Sequence, residues 1–324
     1  MNGAPVRRPM TERPAVVIAD PIDAAAVARL RAGPCRVIDA SADPSTLAGA
    51  LADAWGLVVR SRTKVTRELI ATAPRLRLIA RAGVGLDNVD VAAAAARGIR
   101  VVNAPTAATT SVAELTVALY LSLVRGLYPA IASTKAGRWE KGSHGHELAG
   151  KTVGFVGYGR IAREVARRVR AFDVRTIAFD PFVASTDDGT ALRPLAAVLA
   201  EADLVSVHAA VTPENHHLID ATAIATMKKG SYLVNVARGA LIDETALLAA
   251  LNAGHLAGAA LDVFETEPPA DRALVEHPKL LPTPHLGAAT EEGQRRAGAD
   301  TVDAVLKALH ELAPVASVPG GGGR

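Results

Sequence analysis

Short apolar runs alternate with amphipathic stretches in the first third of the chain. Runs this short, bounded by polar segments, indicate strands that are buried on both faces. The helical patterns between them are typical of parallel βα units. The predicted strands are AVVIA (15–19), CRVID (35–39), GLVVR (56–60), LRLIA (76–80) and IRVVN (99–103).

A second series of the same kind begins after residue 150. Its predicted strands are KTVGFVG (151–157), VRTIAFD (174–180), LVSVH (204–208), YLVNV (232–236) and LAGAALDV (256–263). Two such series predict an α/β protein with two doubly wound, Rossmann-like parallel sheets and a ligand cleft between them, at the carboxyl ends of the strands. The pattern places the first boundary near residue 104 and a last helix over 289–312, before a glycine-rich tail that we expect to be disordered.

One stretch, Val112–Val124, is apolar nearly all the way round. It contains Glu114 and is shorter than the roughly 20 residues that a bilayer span needs, so we expect no membrane insertion. An all-round apolar helix has to be buried on most sides. It therefore predicts either an internal core helix or a contact with a second copy of the chain.

Composition narrows the class of protein. The 324 residues suggest two domains, and 49% apolar with 21% charged residues exclude a disordered or fibrous chain. Lys and Arg number 36 against 33 Asp and Glu, and because they are interspersed we expect no nucleic-acid partner. A single cysteine, Cys35, fits a reducing compartment, and no apolar signal segment follows the N-terminus, so we expect a cytoplasmic protein.

The strongest local motif is Gly157-Tyr158-Gly159-Arg160-Ile161-Ala162, between a predicted strand and a predicted helix. Gly157 allows the tight turn, Gly159 lets the backbone approach a pyrophosphate, and Ala162 stands where a third glycine often packs helix against strand. Asp180 ends the next strand, where a carboxylate accepts hydrogen bonds from ribose hydroxyls and repels a 2′-phosphate. The motif predicts a site for NAD rather than NADP.

The second half of the chain also holds candidates for catalysis. Arg238 follows a strand and can hold a 2-oxo acid by two parallel hydrogen bonds. His285 lies between prolines in PTPHLG, and Glu267 in DVFETEP is a candidate to pair with it and fix its tautomer. Taken singly, each of these residues is more often structural or on the surface.

Taken together, the motifs resemble those of the D-isomer-specific 2-hydroxyacid dehydrogenases, in order and over nearly the whole chain. The resemblance is strongest to the members that oxidise D-3-phosphoglycerate at the first step of serine biosynthesis. The motifs are RAGVGLDNVDV (81–91), VVNAPT (101–106), SVAEL (111–115), GKTVGFVGYGRIAREVA (150–166), SVHAAVTPENHHLI (206–219), VNVARGALIDE (234–244), ALDVFETEP (260–268) and TPHLGAAT (283–290).

The resemblance implies a role for each matching residue. Arg238, Glu267 and His285 would be the catalytic residues, with His285 as the base. The backbone amides of Gly83, Val84 and Gly85 would hold the substrate carboxylate. The residues implied to contact NAD are Gly157, Gly159, Arg160, Ile161, Asp180, His208, Ala209, Val236, Ala237, Asp262 and Gly287.

The resemblance also implies a discontinuous domain order and a homodimer. Residues 1–103 plus 290–324 would form a flavodoxin-like substrate domain, and residues 104–289 an inserted NAD-binding domain through which two copies pair. The chain stops soon after its last helix, so we expect no C-terminal regulatory domain and no serine feedback through one.

A phosphorylated substrate needs cations away from the reacting carbon. The candidates, equally plausible as ordinary surface charges, are Arg60, Ser61, Arg138 and Lys141. Two features depart from the family pattern: the stretch 142–146 is one residue shorter and carries histidines, and Asp173 replaces a common glycine. The first departure weakens the phosphate assignment.

Three alternatives remain open from the sequence. A glyoxylate or hydroxypyruvate reductase would use the same catalytic residues on an unphosphorylated acid. A non-catalytic, NAD-sensing scaffold would keep the NAD motif without turnover. His144 and His146 are close enough to share a metal ion, but with no third ligand evident we expect none, and we expect His216 and His217 to face solvent.

Overall fold

A computed structural model describes residues 13–139 and 144–312 of the chain. These residues divide into two compact units. The first contains the residues up to Ala108 together with those from Thr290 onward, and the second is Thr109–Ala289. The sequence predicts the joins at 103/104 and 289/290, whereas the contacts divide the chain at 108/109 and 289/290.

The first unit is built on a five-stranded parallel sheet. Its strand order, β2-β1-β3-β4-β5, is the flavodoxin-like doubly wound order. The strands are β1 (Ala15–Ile18), β2 (Arg36–Asp39), β3 (Ala54–Val59), β4 (Leu78–Arg81) and β5 (Arg100–Asn103). The helices between them are α1 (Ala24–Arg31), α2 (Leu47–Leu51), α3 (Arg67–Ala71) and α4 (Val91–Ala96).

The last helix of the chain, Glu291–Leu312, also belongs to this unit. Its apolar face carries Val302, Val305 and Leu309, which pack with Val16 and Ile18 of β1 in one core cluster. A second cluster fills the other face of the sheet, so β1 and β3 are buried throughout. Burial on both faces explains why these strands are continuous apolar runs.

The second unit is built on a seven-stranded parallel sheet of order β12-β11-β10-β9-β6-β7-β8. Its strands are β6 (Thr152–Val156), β7 (Arg175–Phe179), β8 (Ala191–Leu192), β9 (Leu204–Val207), β10 (Ser231–Asn235), β11 (Leu256–Leu261) and β12 (Leu280–Pro282). Its helices are α5 (Thr109–Val124), α6 (Leu127–Lys135), α7 (Arg160–Val169), α8 (Leu195–Glu201), α9 (Ala221–Thr226), α10 (Glu244–Asn252) and α11 (Arg272–Val275).

These two sheets confirm the predicted class of two doubly wound α/β domains. Each predicted apolar run overlaps a strand, but the sequence analysis missed β8 and β12. Both are very short and lie at the edges of the sheet, and β12 ends at Pro282, which has no backbone N–H to donate. Strands this short carry too few positions for a recognisable pattern.

The apolar stretch predicted over 112–124 is helix α5, which begins three residues earlier, at Thr109. One face of α5 is buried within its own unit, through residues such as Val112, Leu119 and Tyr120. In the part of the chain that the structure describes, no single helix is long and apolar enough to cross a bilayer. Only the bent pair of α5 and α6, at 69° to each other, meets the length and composition requirements together.

Several arginines in and directly after α7 lie in ion pairs rather than in an unbroken basic surface. Arg168 pairs with both Glu164 and Glu114, and Arg170 pairs with Asp188. Asp173, which stands where the family often has glycine, adopts a left-handed φ of 56°. Glycine adopts this conformation without strain, and aspartate is one of the few other residues that tolerate it.

Candidate active site

The turn between β6 and α7 is shaped for close approach of a ligand. Gly157 has φ 88°, and a Cβ at this position would lie 2.6 Å from the backbone nitrogen of Ala209. Only glycine fits there. Gly159 caps the N-terminus of α7 without any side-chain hydrogen bond, so the first N–H groups of the helix face a potential anion. Ala162 is fully buried where the helix packs on the sheet.

Asp180 lies directly after β7, beside this turn. One carboxylate oxygen accepts a hydrogen bond from the backbone N–H of Tyr158 at 2.8 Å, and the other accepts one from Phe182 at 2.8 Å. The carboxylate is therefore fixed next to the glycine turn, at the position where a dinucleotide site places its ribose-binding acid. Gly157, Gly159, the amino end of α7 and Asp180 together fit an NAD molecule.

The residues after β9 line the same turn. The backbone of His208 and Ala209 packs against Gly157, and the imidazole of His208 lies 2.9 Å from the hydroxyl of Ser206. Burial lowers the pKa of His208 to about 3. This histidine is therefore neutral at physiological pH, and it can contact a cofactor without adding charge.

The turn after β10 carries Arg238. The fully buried side chain of Asn235 shapes this turn, because its amide donates to the carbonyl of Arg238 at 2.8 Å and its oxygen accepts from the N–H of Ala237 at 3.0 Å. At Gly239 a Cβ would lie 1.9 Å from the carbonyl carbon of Phe264. The Arg238 turn is therefore in backbone contact with the segment that leads to Glu267.

Asp262, at the end of β11, anchors the loop that follows β12. It is 1% exposed, and its carboxylate accepts hydrogen bonds from the Thr283 hydroxyl at 2.7 Å and from the N–H groups of Leu286 at 2.7 Å and Gly287 at 2.8 Å. The loop between these donors carries His285. Asp262 thus holds that loop in place, a role distinct from the contact with NAD that the resemblance implies.

His285 and Glu267 form the predicted pair. The Nδ1 atom of His285 lies 2.9 Å and 3.1 Å from the two carboxylate oxygens of Glu267. Such a contact favours a proton on Nδ1 and leaves Nε2 for another partner. His285 has a left-handed φ of 54°, a conformation that only a few per cent of non-glycine residues adopt.

Arg238, Glu267 and His285 therefore follow three neighbouring strands of one sheet, β10, β11 and β12. The structure brings Glu267 and His285 into direct contact and places Arg238 on the adjoining turn. A cavity of about 470 Å³ lies beside the pair, lined mainly by Phe264, Pro268, Val275 and Pro284. The arrangement can hold an anion and take up a proton, and apolar side chains line the cavity beside the imidazole.

In the first unit, Gly83, Val84 and Gly85 follow β4. The N–H of Gly83 donates to the carbonyl of Arg81 at 2.9 Å, so that amide is already engaged. The carbonyl of Val84 accepts a hydrogen bond from Asn103 at 2.6 Å. Among residues 13–139 and 144–312, we find no acceptor for the amides of Val84 and Gly85, which are the better candidates to bind a carboxylate.

The loop with Arg60 and Ser61 follows β3 and is anchored by the buried Asp20. Its carboxylate accepts from the N–H of Arg60 at 2.7 Å and from the Thr63 hydroxyl at 2.6 Å. Burial alone would raise the pKa of Asp20, but the hydrogen bonds from Thr63, Arg60 and Arg62 outweigh it and lower this pKa. Ser61 is exposed at the tip of the loop.

The four phosphate candidates do not all fall within one described unit. Arg60 and Ser61 belong to the first unit and Arg138 to the second, while Lys141 lies outside the described residues. The neighbouring Arg62 bonds Asp20 and the carbonyls of Ala19 and Ser41, so its guanidinium supports the loop.

Sequence reasoning missed Asp20, Asn88 and Asn235. Asn88 donates to the carbonyls of Arg60 at 2.8 Å and Thr63 at 2.6 Å, and it thereby holds the same loop as Asp20 from the other side. The position of Asp20 and Asn235 at the carboxyl ends of predicted strands was the available signal.

Residues 117–287 match the family model described as the D-isomer specific 2-hydroxyacid dehydrogenase, NAD binding domain. The chain belongs to this family. The expected family and the expected NAD cofactor are confirmed, and the matched dehydrogenase domain comprises the glycine turn, Asp180, Arg238, Glu267 and His285.

Two solved members of this dehydrogenase fold are similar over nearly their whole length. A glyoxylate reductase from Paecilomyes thermophila is 30% identical, with a TM-score of 0.84 over 97% of this chain and 100% of that one. An NAD-dependent formate dehydrogenase from Staphylococcus aureus, in complex with NAD, is 32% identical, with a TM-score of 0.81 over 94% and 97%.

Among curated proteins, the D-3-phosphoglycerate dehydrogenase of Mycobacterium leprae is 48% identical over 301 residues. That alignment covers 91% of this dehydrogenase chain and 57% of the relative. The chain thus spans somewhat more than half the length of the curated relatives that it matches.

Proposed function

We propose that this chain oxidises D-3-phosphoglycerate to 3-phosphohydroxypyruvate with NAD, the first step of serine biosynthesis. The observation that carries the dehydrogenase assignment is the contact between His285 and Glu267. Their loops follow the carboxyl ends of parallel strands, as the dinucleotide turn does. The 48% identity to a D-3-phosphoglycerate dehydrogenase supports the choice of substrate.

His285 is the base in this proposal. Because Nδ1 faces Glu267, Nε2 takes the proton from the substrate hydroxyl, and the Glu267 carboxylate stabilises the imidazolium that results. Bound NAD would supply the hydride acceptor for the carbon that bears this hydroxyl. In this proposal the neutral His208, Val236 and Ala237 line the NAD pocket, and Asp180 binds the ribose of NAD.

Arg238 orients the substrate. Its guanidinium can hold the carboxylate and the developing carbonyl by parallel hydrogen bonds, and Asn235 fixes the turn from which it projects. The amides of Val84 and Gly85 bind the carboxylate from the first unit, which we assign as the substrate domain. Arg60, Ser61, Arg138 and Lys141 are the proposed phosphate contacts.

We also propose a cytoplasmic homodimer that pairs through the NAD-binding domain. Four large apolar side chains on and after α6 support it: Leu127 is 42% exposed, Tyr128 and Ile131 are 53% exposed, and Trp139 is 76% exposed. Apolar groups clustered within so short a stretch are typical of a surface that another protein covers.

A glyoxylate or hydroxypyruvate reductase is the second candidate. The similarity to a glyoxylate reductase favours it, and so does the use of Arg62 to support its loop rather than to face a ligand. In that case the same histidine and arginine would act on an unphosphorylated acid.

Steady-state kinetics separate the two candidates. NADH formation from D-3-phosphoglycerate and D-glycerate at alkaline pH, and NADH consumption with hydroxypyruvate and glyoxylate, give four values of kcat/KM. The proposal expects a clear advantage for the phosphorylated acid. A preference for the unphosphorylated acids would overturn the substrate assignment and leave the dehydrogenase assignment in place.

A pair of variants tests the phosphate contact. Arg60→Ala should raise KM for D-3-phosphoglycerate with little change for D-glycerate. The control Arg75→Ala removes an exposed arginine of the same unit that pairs with Asp53, and it should change neither constant. Equal effects of Arg60→Ala on both acids would remove Arg60 from the phosphate site.

A further inference from the structure

Two histidines and a glutamate meet on the second unit, outside the proposed catalytic residues. His216 and His217 follow a short 3-10 turn, Pro213–Asn215. Glu265 lies in the segment between β11 and Glu267. Sequence analysis expected both histidines to face solvent, and the structure agrees for His216 only, because the ring of His217 contacts the Glu265 carboxylate.

The backbone brings the two imidazoles together. His217 has a left-handed φ of 52°, and its N–H donates to the carbonyl of Ala240 at 2.8 Å. The ring centroids of His216 and His217 lie 4.0 Å apart, with their planes 35° from parallel. Both rings therefore present nitrogen atoms to one region of the surface.

Glu265 completes the group from a distant part of the chain. Its N–H donates to the carboxylate of Glu244 at 2.7 Å, which fixes the backbone beside the histidines. One donor atom from each of His216, His217 and Glu265 can be chosen so that all three lie within 4.8 Å of one another. In the described part of the chain this is the one such cluster of three or more histidine, cysteine or acidic side chains.

We propose that His216, His217 and Glu265 form a binding site for a divalent transition-metal ion of the zinc type. Zn²⁺ sites in proteins can consist of two imidazole nitrogens and one carboxylate oxygen, with water in the fourth position. Imidazole ligands select zinc, cobalt, nickel or copper over calcium and magnesium, which prefer oxygen. The partial exposure of His217 and Glu265, at 33% and 35%, leaves an entry path for the ion.

The site is separate from the proposed hydride-transfer chemistry, which uses none of its three ligands. The competing explanation is a simple ion pair between His217 and Glu265, which would leave His216 without any function. The two explanations differ in what His216 does, so this residue decides between them.

The test uses the full chain without a histidine tag, stripped of metal with a chelator. Titration with ZnCl₂ in a calorimeter gives the stoichiometry and affinity, and CoCl₂ gives a visible absorption band whose intensity reports a four-coordinate site. The proposal expects one tight ion per chain. It expects His216→Ala and Glu265→Gln each to weaken binding by roughly tenfold or more.

The matched control is the double variant His144→Ala/His146→Ala, which removes the other closely spaced histidine pair. It should bind Zn²⁺ as the unmodified chain does. Circular dichroism and thermal unfolding verify that each variant is folded. Three results would overturn the proposal. They are an unchanged Zn²⁺ affinity in folded His216→Ala and Glu265→Gln, a loss of Zn²⁺ binding in the control, and no Zn²⁺ binding by the unmodified chain.

Discussion

A buried aspartate holds one loop that carries proposed site residues in each unit, and the two loops are held in the same way. Asp20, after β1, accepts from the N–H of Arg60 and the hydroxyl of Thr63 on the loop after the adjacent strand β3. Asp262, after β11, accepts from the N–H of Leu286 and the hydroxyl of Thr283 on the loop after the adjacent strand β12.

The two loops differ in what they present. In the first unit, Arg62 also bonds Asp20, so one of the cations of the loop is used to support it. In the second unit the anchor leaves His285 in a left-handed conformation with Glu267 on Nδ1. The comparison teaches that the same kind of anchor can present different side chains, depending on which residue lies between the anchored groups. Under the proposed function, the first loop binds the substrate and the second takes part in catalysis.

The largest effect is expected at His285. His285→Ala should lower kcat by about 10²- to 10⁴-fold, because the proton then has no base, while NAD affinity and the thermal unfolding temperature stay unchanged. Steady-state assays measure kcat, fluorescence titration measures the affinity for the nucleotide, and a thermal unfolding curve gives the third property. Normal turnover in this variant would show that the second loop is not catalytic.

The two anchors themselves give the next effect. Asp262→Asn and Asp20→Asn should each lower the free energy of unfolding by about 2–3 kcal/mol, because an amide replaces an acceptor of several buried hydrogen bonds. Asp262→Asn should lower kcat, since it moves His285, whereas Asp20→Asn should raise KM with little change in kcat.

Denaturant unfolding and steady-state kinetics on the two variants measure this difference. If neither variant folds, Thr283→Ser and Thr63→Ser replace them in the comparison. Each substitution keeps the hydroxyl that bonds the aspartate, so the expected changes in kcat and KM are smaller. An equal loss of kcat in Asp262→Asn and Asp20→Asn would contradict the proposed separation of catalysis from binding.

A smaller effect concerns acid stability. The folded-state pKa of Asp20 is lowered below its ordinary value of 3.8, so its contribution to stability is present above that pH and is lost as the pH falls below it. Asp20→Asn should therefore make unfolding less dependent on pH in the acid range below about 4. A pH series of denaturant midpoints checks this, and identical slopes for the two proteins would be the contrary result.

The smallest effect separates functional from incidental left-handed conformations. Asp173 and His285 have nearly the same φ, 56° and 54°, but Asp173 is not among the proposed site residues. Asp173→Gly should relieve strain and raise the free energy of unfolding by about 0.5–1 kcal/mol, without a change in turnover. A loss of stability would show that the aspartate side chain has a structural role.

Sequence analysis could predict the fold class, the glycine turn and the partners His285 and Glu267, because these depend on local patterns and on motifs shared with a family. It could not predict the roles of Asp20 or Asn235. Their hydrogen bonds join chain segments that only the tertiary structure brings together. The contact between His217 and Glu265, 48 residues apart, was missed for the same reason.

The most direct test of the account is transfer of deuterium from D-3-phosphoglycerate labelled at C2. Incubation with NAD, followed by mass spectrometry of the nucleotide, shows whether the label moves from that carbon to the nicotinamide. The account predicts one deuterium in each reduced nucleotide and none from the L isomer. Tight NAD binding without transfer from this or any other D-2-hydroxy acid would contradict it and would favour an NAD-sensing scaffold.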